Sequence, residues 1–280
     1  MNRKLLAAGV VSLAIVGLSG PANADHSWST YHWKTANGIA TPLVVDNTSS
    51  DWKPRIEIAV ADWNKSPHIE SDLNSSGTNT SRRCSMTEGT IQVCNGAYGF
   101  NGWLGIASIS VSGGHIIAGS TRLNDSYFAL SQYNGSDGES WKQLVACQEI
   151  GHDYGLGHQN EDFDTDLTTS CMEYTSAPSG NEGPDAHDYQ QLVTIYGGHS
   201  EGGSTGGNGG NTGGPGKGGG KKLGIEVGDT RAEWGRAVGF DAHGRANVFE
   251  QVIRGYTVIT HVTWAPDAKR NIEPGHHHDH

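Results

Sequence analysis

The sequence predicts an α+β protein with a small β-rich appendage, and three observations carry that prediction. Strand-like runs crowd the first half of the chain, and a helix with histidines at its end follows them. A glycine-rich stretch after residue 200 then separates this part from further strand-like runs. Strands followed by helices, rather than alternating with them, is the order of a segregated α+β fold.

Residues 1–24 are set apart from the fold. Arg3 and Lys4 precede an apolar run from Leu5 to Leu18, and Ala22-Asn23-Ala24 gives a small-x-small cleavage pattern. The run is short for a membrane span, so a secretory signal peptide is expected, leaving a secreted chain with no membrane anchor. Losing Arg3 and Lys4 moves the formal charge from −11 to −13. A charge of that sign argues against nucleic acid or an anionic membrane as partner, and a soluble extracellular monomer is expected.

Ser29 to Lys34 and Thr41 to Val45 read as short strands. Ser50-Asp51-Trp52-Lys53-Pro54 opens a helix with a capping Ser or Asp and a proline tolerated in its first turn. Trp52, Ile56, Ala59, Val60 and Trp63 recur at helical spacing, and Pro67 closes the segment. Residues 71–81 read as a surface loop. Ile91 to Val93, Leu104 to Val111 and His115 to Leu123 read as strands, Trp141 to Val145 starts the histidine-bearing helix, and a closing helix is expected from Asp185 to Tyr196.

Residues 201–220 hold twelve glycines among Ser, Thr and Asn, which predicts a flexible linker spanning roughly 25 Å. Three strands follow, at Arg236–Phe240, Asn247–Ile253 and Thr257–Trp264. The expected layout is therefore a signal at 1–24, a main domain at 25–200, a linker at 201–222 and a β-meander module at 223–280. So short a module buries little core alone, so it is marginal unless it docks or serves as an accessory. The histidine-rich end, His276 to His280, receives no function.

Four cysteines fit an oxidising compartment. Cys84 and Cys94 are ten apart around a Gly89 turn, which favours a local bridge and leaves Cys147 with Cys171. Two other connectivities stay open. A four-cysteine zinc site is disfavoured because no CxxC pair occurs.

The chemistry concentrates in Gln148-Glu149-Ile150-Gly151-His152-Asp153-Tyr154-Gly155-Leu156-Gly157-His158. Positions 148 and 152 are one helical turn apart and share a face. Gly155 suits a sharp exit from the helix, in positive φ, that brings His158 back towards His152. A zinc site for hydrolysis needs three protein ligands, one open position and a nearby carboxylate. No G-x-S-x-G or other activated nucleophile supports serine-type catalysis.

The pattern QExxHxxGxxH, followed by Cys171-Met172, resembles the metzincin zinc metallopeptidases, whose motif reads HExxHxxGxxH with a downstream methionine turn. The resemblance covers one helix, one turn and the methionine loop. It implies a metzincin-like catalytic domain: a twisted mixed sheet, an edge strand at 115–123 that pairs with an extended peptide or protein substrate, an active-site helix and a C-terminal helix. It implies one catalytic Zn2+ held by His152 and His158, Glu149 as general base for water attacking the peptide bond, and Met172 as a hydrophobic floor. Tyr174 would help an oxyanion or serve as an ordinary buried tyrosine. A Cys147–Cys171 bridge would staple the helix to the methionine loop.

Gln148 stands where the first histidine belongs. Its amide oxygen can be a neutral ligand, although zinc prefers nitrogen and sulfur. Three outcomes are open: Gln148 ligates, another side chain such as His115, His187 or Glu161 completes the site, or the site is metal-poor. Two functions follow, a secreted zinc endopeptidase or an extracellular peptide-binding protein that does not cut. Glu161, Asp162, Asp164 and Asp166 could bind Ca2+ through oxygen, but an exposed acidic loop is the favoured reading.

Overall fold

The computed structural model describes residues 26–78, 82–198 and 220–266. The expected signal peptide, nearly all of the glycine-rich stretch and the histidine-rich end lie outside the described residues. The fold is α+β.

Its strands are β1 (His32–Trp33), β2 (Leu43–Asp46), β3 (Leu73–Asn74), β4 (Thr90–Gly96), β5 (Trp103–Ser112), β6 (His115–Asn124), β7 (Arg236–Phe240), β8 (Ala246–Ile253) and β9 (Tyr256–Trp264). They form one sheet in the order β3-β2-β4-β6-β5-β9-β8-β7, with β1 paired to the start of β6. The β3-β2-β4-β6 part is parallel, and everything from β5 onward is antiparallel.

The helices are α1 (Lys53–Trp63), the short α2 (Asp125–Phe128) and α3 (Ser131–Asn134), α4 (Gly138–Asp153) and α5 (Ala186–Tyr196). Ile56, Ala59, Val60 and Trp63 form the buried face of α1, as their spacing predicts. Its cap differs from expectation. Trp52 holds the N-cap position and no side chain caps the end. Asp51 pairs with Lys142 of α4 instead, at 2.6 Å. Residues 73–74 of the expected surface loop add an edge strand beside β2.

β6 is not an edge. β4 runs parallel along one side and β5 antiparallel along the other. Residues 118–124 are buried without interruption, the burial of an interior strand rather than of one awaiting a partner. The expectation of a substrate-pairing edge at 115–123 is therefore overturned. The antiparallel strand beside it, β5, has its outer side taken by β9, with pairs running from Trp103 with Trp264 to Val111 with Thr257.

The C-terminal strands begin and end within a residue of their predicted limits, and they extend the main sheet. Residues 221–225 also run beside Met86–Glu88, linked by backbone bonds such as Met86 N–H to the Ile225 carbonyl at 3.1 Å. Tyr98, Trp103, Ile106 and Tyr174 share one hydrophobic cluster with Trp234, Phe249, Val262 and Trp264. The apolar face that the small meander could not cover alone is buried in this shared cluster, while Val238, Phe240 and Val252 stay exposed. Among the described residues no helix is long and apolar enough to cross a membrane.

Candidate metal centre

α4 is buried from Trp141 to Asp153 without a break. A polar helix enclosed on all sides must find a partner for each of its polar groups. Lys142 has Asp51. At the other end, the carbonyls left unpaired by the last turn are collected by aromatic donors. Trp33 Nε1 donates to the Asp153 carbonyl at 2.8 Å, and the Tyr196 hydroxyl donates to the Tyr154 carbonyl at 2.7 Å.

The chain leaves the helix through Gly155, at φ +97°. A side chain there would also meet the Tyr31 carbonyl at 2.8 Å, so both conformation and space require glycine. Leu156 donates back to the Gly151 carbonyl at 3.3 Å, and Gly157 is held by the His26 carbonyl. This exit returns His158 to His152.

The two rings meet edge to face, with Nε2 of each 2.9 Å from the other. The opposite nitrogen of each is engaged outward: His152 Nδ1 with the Leu156 carbonyl at 2.7 Å, and His158 Nδ1 with Glu161 Oε1 at 3.1 Å. Burial alone would raise the Glu161 carboxyl, but its bonds with His158 and Asn247 outweigh burial and hold it below the ordinary carboxylate range. Each Nδ1 therefore has an acceptor behind it, and the Leu156 carbonyl, which can only accept, places a proton on His152 Nδ1. The two Nε2 atoms converge on one point 2.9 Å apart, an arrangement that suits a shared cation between them, a proton or a metal ion. Two nitrogens on a tetrahedral zinc stand roughly 3.3 Å apart, given bonds of about 2.0–2.1 Å, so the pair fits a metal after a small adjustment.

A third imidazole, which the sequence reading missed, joins them. His261 of β9 is buried, stacked on Trp28 with centroids 3.8 Å apart, and its ring centre is 4.3 Å from that of His152 and 5.4 Å from that of His158. One ligand atom from each of His152, His158 and His261 falls within 4.8 Å of the others, so the three could hold a metal ion. Burial depresses the basicity of His152 and His261, reinforced by His158 and His26 around the first and by His152 and His158 around the second, which favours the neutral, donor form of both. The only sequence signal was one histidine in an otherwise Thr/Val/Ile-rich strand.

Gln148 lies one turn back from His152 with both ends of its amide engaged. The Thr263 hydroxyl donates to its oxygen at 2.7 Å, and its nitrogen donates to the Glu173 carbonyl at 3.3 Å. Glu149 is fully buried beside Gly105 of β5, and neither carboxylate oxygen has a hydrogen-bond partner among the described residues, Thr263 being committed to Gln148. Burial raises its pKa well above the ordinary range, opposed by the nearby Thr263 hydroxyl and reinforced by Asp153.

Met172 is buried with its sulfur against Gly151, where an added methyl would come within 2.6 Å. It thus packs under the turn of α4 that carries His152. The Cys147–Cys171 disulfide ties that helix to the same loop, and Cys84 is bonded to Cys94. Tyr174 lies tilted against His158 with ring centroids 4.3 Å apart, but its hydroxyl donates to the Val262 carbonyl of β9 at 3.0 Å.

The other residues considered for the metal go elsewhere. His115 stands against His32 and His187 against His26, and Glu161 acts behind His158 rather than beside it. Of the acidic loop, only part converges: Asp162 and Asp164 meet His243 in an exposed group that could hold a metal ion, without Glu161 or Asp166. Asp162 and Asp164 face His243 at 3.3 and 3.6 Å, while Asp166 accepts from the Thr175 hydroxyl.

A cleft of about 500 Å³ lies on the outer side of the histidines, lined by Trp28, Tyr31, His158, Glu161, Glu250 and His261 among others. His158 is 8% exposed, whereas His152 and Glu149 are sealed, so the cleft is the approach to the centre.

No family model matches the chain, and no curated protein does. Among solved structures it is similar to myroilysin, with 14% identity and a TM-score of 0.32 over 58% of this chain and 82% of that one. It is also similar to high choriolytic enzyme 1, a hatching-enzyme zinc-protease from the medaka fish Oryzias latipes, with 12% identity and a TM-score of 0.33 over 60% of this chain and 95% of that one.

Proposed function

We propose that the chain is a secreted zinc-dependent endopeptidase of metzincin type, with His152 and His158 as metal ligands and Glu149 as the general base. The observation that carries this reading is the pair of imidazole nitrogens facing each other at 2.9 Å, each oriented by an acceptor behind it. Zinc bound there supplies a Lewis acid that polarises a peptide carbonyl and makes water nucleophilic near neutral pH. Glu149, unbonded and out of bulk water, is suited to take a proton from a water and return it to a leaving amine. Met172 and the Cys147–Cys171 bridge hold the helix in place beneath the ligands.

The purified chain is expected to carry near-stoichiometric zinc and to cleave a general protein substrate. Glu149→Gln should retain zinc while losing about 10²–10⁴-fold in rate. Unchanged cleavage by Glu149→Gln, or no zinc in the wild type, sinks the proposal.

One observation favours the second reading, an extracellular protein that binds peptide without cutting it. Glu149 is sealed from the cleft, whose lining residues His158, Glu161 and His261 remain open to a ligand. Under this reading wild type and Glu149→Gln bind an extended peptide alike and neither cleaves it.

A further inference from the structure

Resting on the zinc reading above, we propose that His261 is the third metal ligand, supplied by β9 in place of the residue at position 148, so that the metal centre is built across the two parts of the chain.

The geometry of the two elements leads to this assignment. Along β9, side chains alternate between faces, and Ile259, His261 and Thr263 share the one turned to α4. Ile259 packs in the core with Ile150, whereas Val262 and Trp264 pack in the cluster on the other side. Two residues along a strand advance roughly 6.6 Å, and four along a helix advance about 6 Å. The pair His261 and Thr263 is thus commensurate with the pair His152 and Gln148. Thr263 meets Gln148 at 2.7 Å, and that match sets His261 against His152.

Gln148 then has a definite task. Its amide bridges β9, through Thr263, to the loop of Glu173, so it anchors the strand that brings the histidine. The Tyr174 hydroxyl on the Val262 carbonyl and Asn247 on Glu161 fasten the same strands around the site. His261 itself needs a partner. Its Nδ1 is buried with no hydrogen bond among the described residues, a costly state for a polar atom unless a ligand satisfies the ring. Three histidines and an open side towards the cleft form one of the donor sets that hold catalytic zinc.

The consequence is that metal uptake and docking of the C-terminal strands are one event. The full-length chain, stripped with a chelator, is titrated with Zn2+ and Co2+ in competition with a chromophoric chelator. The set includes wild type and His152→Ala, His261→Ala, His261→Phe and Gln148→Ala. Amide exchange of residues 256–264 is followed with and without zinc.

Both His261 variants should lose more than the roughly 100-fold that a lost outer-sphere partner costs, and should lose the tetrahedral Co2+ spectrum. Gln148→Ala should stay within about tenfold of wild type by the same scale. Zinc should slow exchange in β9 of the wild type and not of His261→Phe, whose ring keeps the stack on Trp28 and controls for undocking. Wild-type affinity in both His261 variants, with loss only in His152→Ala, overturns the role of His261 and leaves the zinc reading standing. So does loss in Gln148→Ala alongside tighter binding by His261→Ala, which would make β9 a plug over a Gln148 site. If His152→Ala binds like wild type, or nothing binds, the zinc reading itself fails.

Discussion

At the scale of single residues, the site depends on where polar atoms find partners. His152 and His158 turn their Nε2 atoms towards each other because a carbonyl and a carboxylate engage the opposite nitrogens. Gln148 has both ends of its amide engaged and so ties β9 to the Glu173 loop. Gly155 is the residue whose replacement tests the turn. Alanine there must adopt φ near +97° and meet the Tyr31 carbonyl, so Gly155→Ala should cost about 1–3 kcal/mol or more in chemical denaturation. It should also weaken zinc retention, since the same turn returns His158. Wild-type stability in this variant would show that the turn relaxes freely.

At the scale of elements, α4 is held at both ends and in the middle. Trp33 and Tyr196 take its last carbonyls, Met172 and Cys171 lie beneath it, and α5 closes over the loop. The N-terminus of α5 adds a pH dependence. Asp185 and Asp188 form a capping box, and Asp188 also accepts from Ser170 and Gln159 with His26 3.7 Å away. Burial outweighs these bonds and pushes the Asp188 carboxyl up to about 6 from an ordinary 3.8.

The folded state thus binds this proton more tightly than the unfolded chain does. Its stabilising contribution is complete below about 3.8 and is lost as pH rises through about 6. Urea midpoints measured from pH 4 to 7 should fall more steeply for wild type than for Asp188→Asn. Parallel profiles would remove Asp188 from the account.

At the scale of the whole molecule, the C-terminal strands are part of the sheet and, through His261, of the candidate metal centre. β9 covers β5 along its length, and Trp234, Phe249 and Trp264 close over Trp103 and Tyr174. A chain ending at residue 200 would expose that face together with an unpaired edge, the combination that drives aggregation. It should bind a hydrophobic dye and self-associate in gel filtration, while the full chain does neither. A monomeric, dye-negative truncated chain would show that the first part folds alone.

The elements that the sequence made legible are those with a local cause. The apolar stripe of α1, the turn at Gly155 and the extent of α5 each depend on patterns of a few positions, and a pattern of that reach reads directly as geometry. The limits of β7, β8 and β9 were legible for the same reason. Which strand β9 would choose was not. A two-residue period fixes which side chains share a face, but pairing depends on the complementarity of edges brought together by the fold. His261 shows the difference. The sequence by itself determined that Gln148, Glu149, His152 and His158 stand around one helical turn and its exit. Only the tertiary structure decided that Thr263 engages Gln148 and that His261 arrives beside His152, because the distance between them along the chain is closed by β-sheet pairing and not by any local pattern.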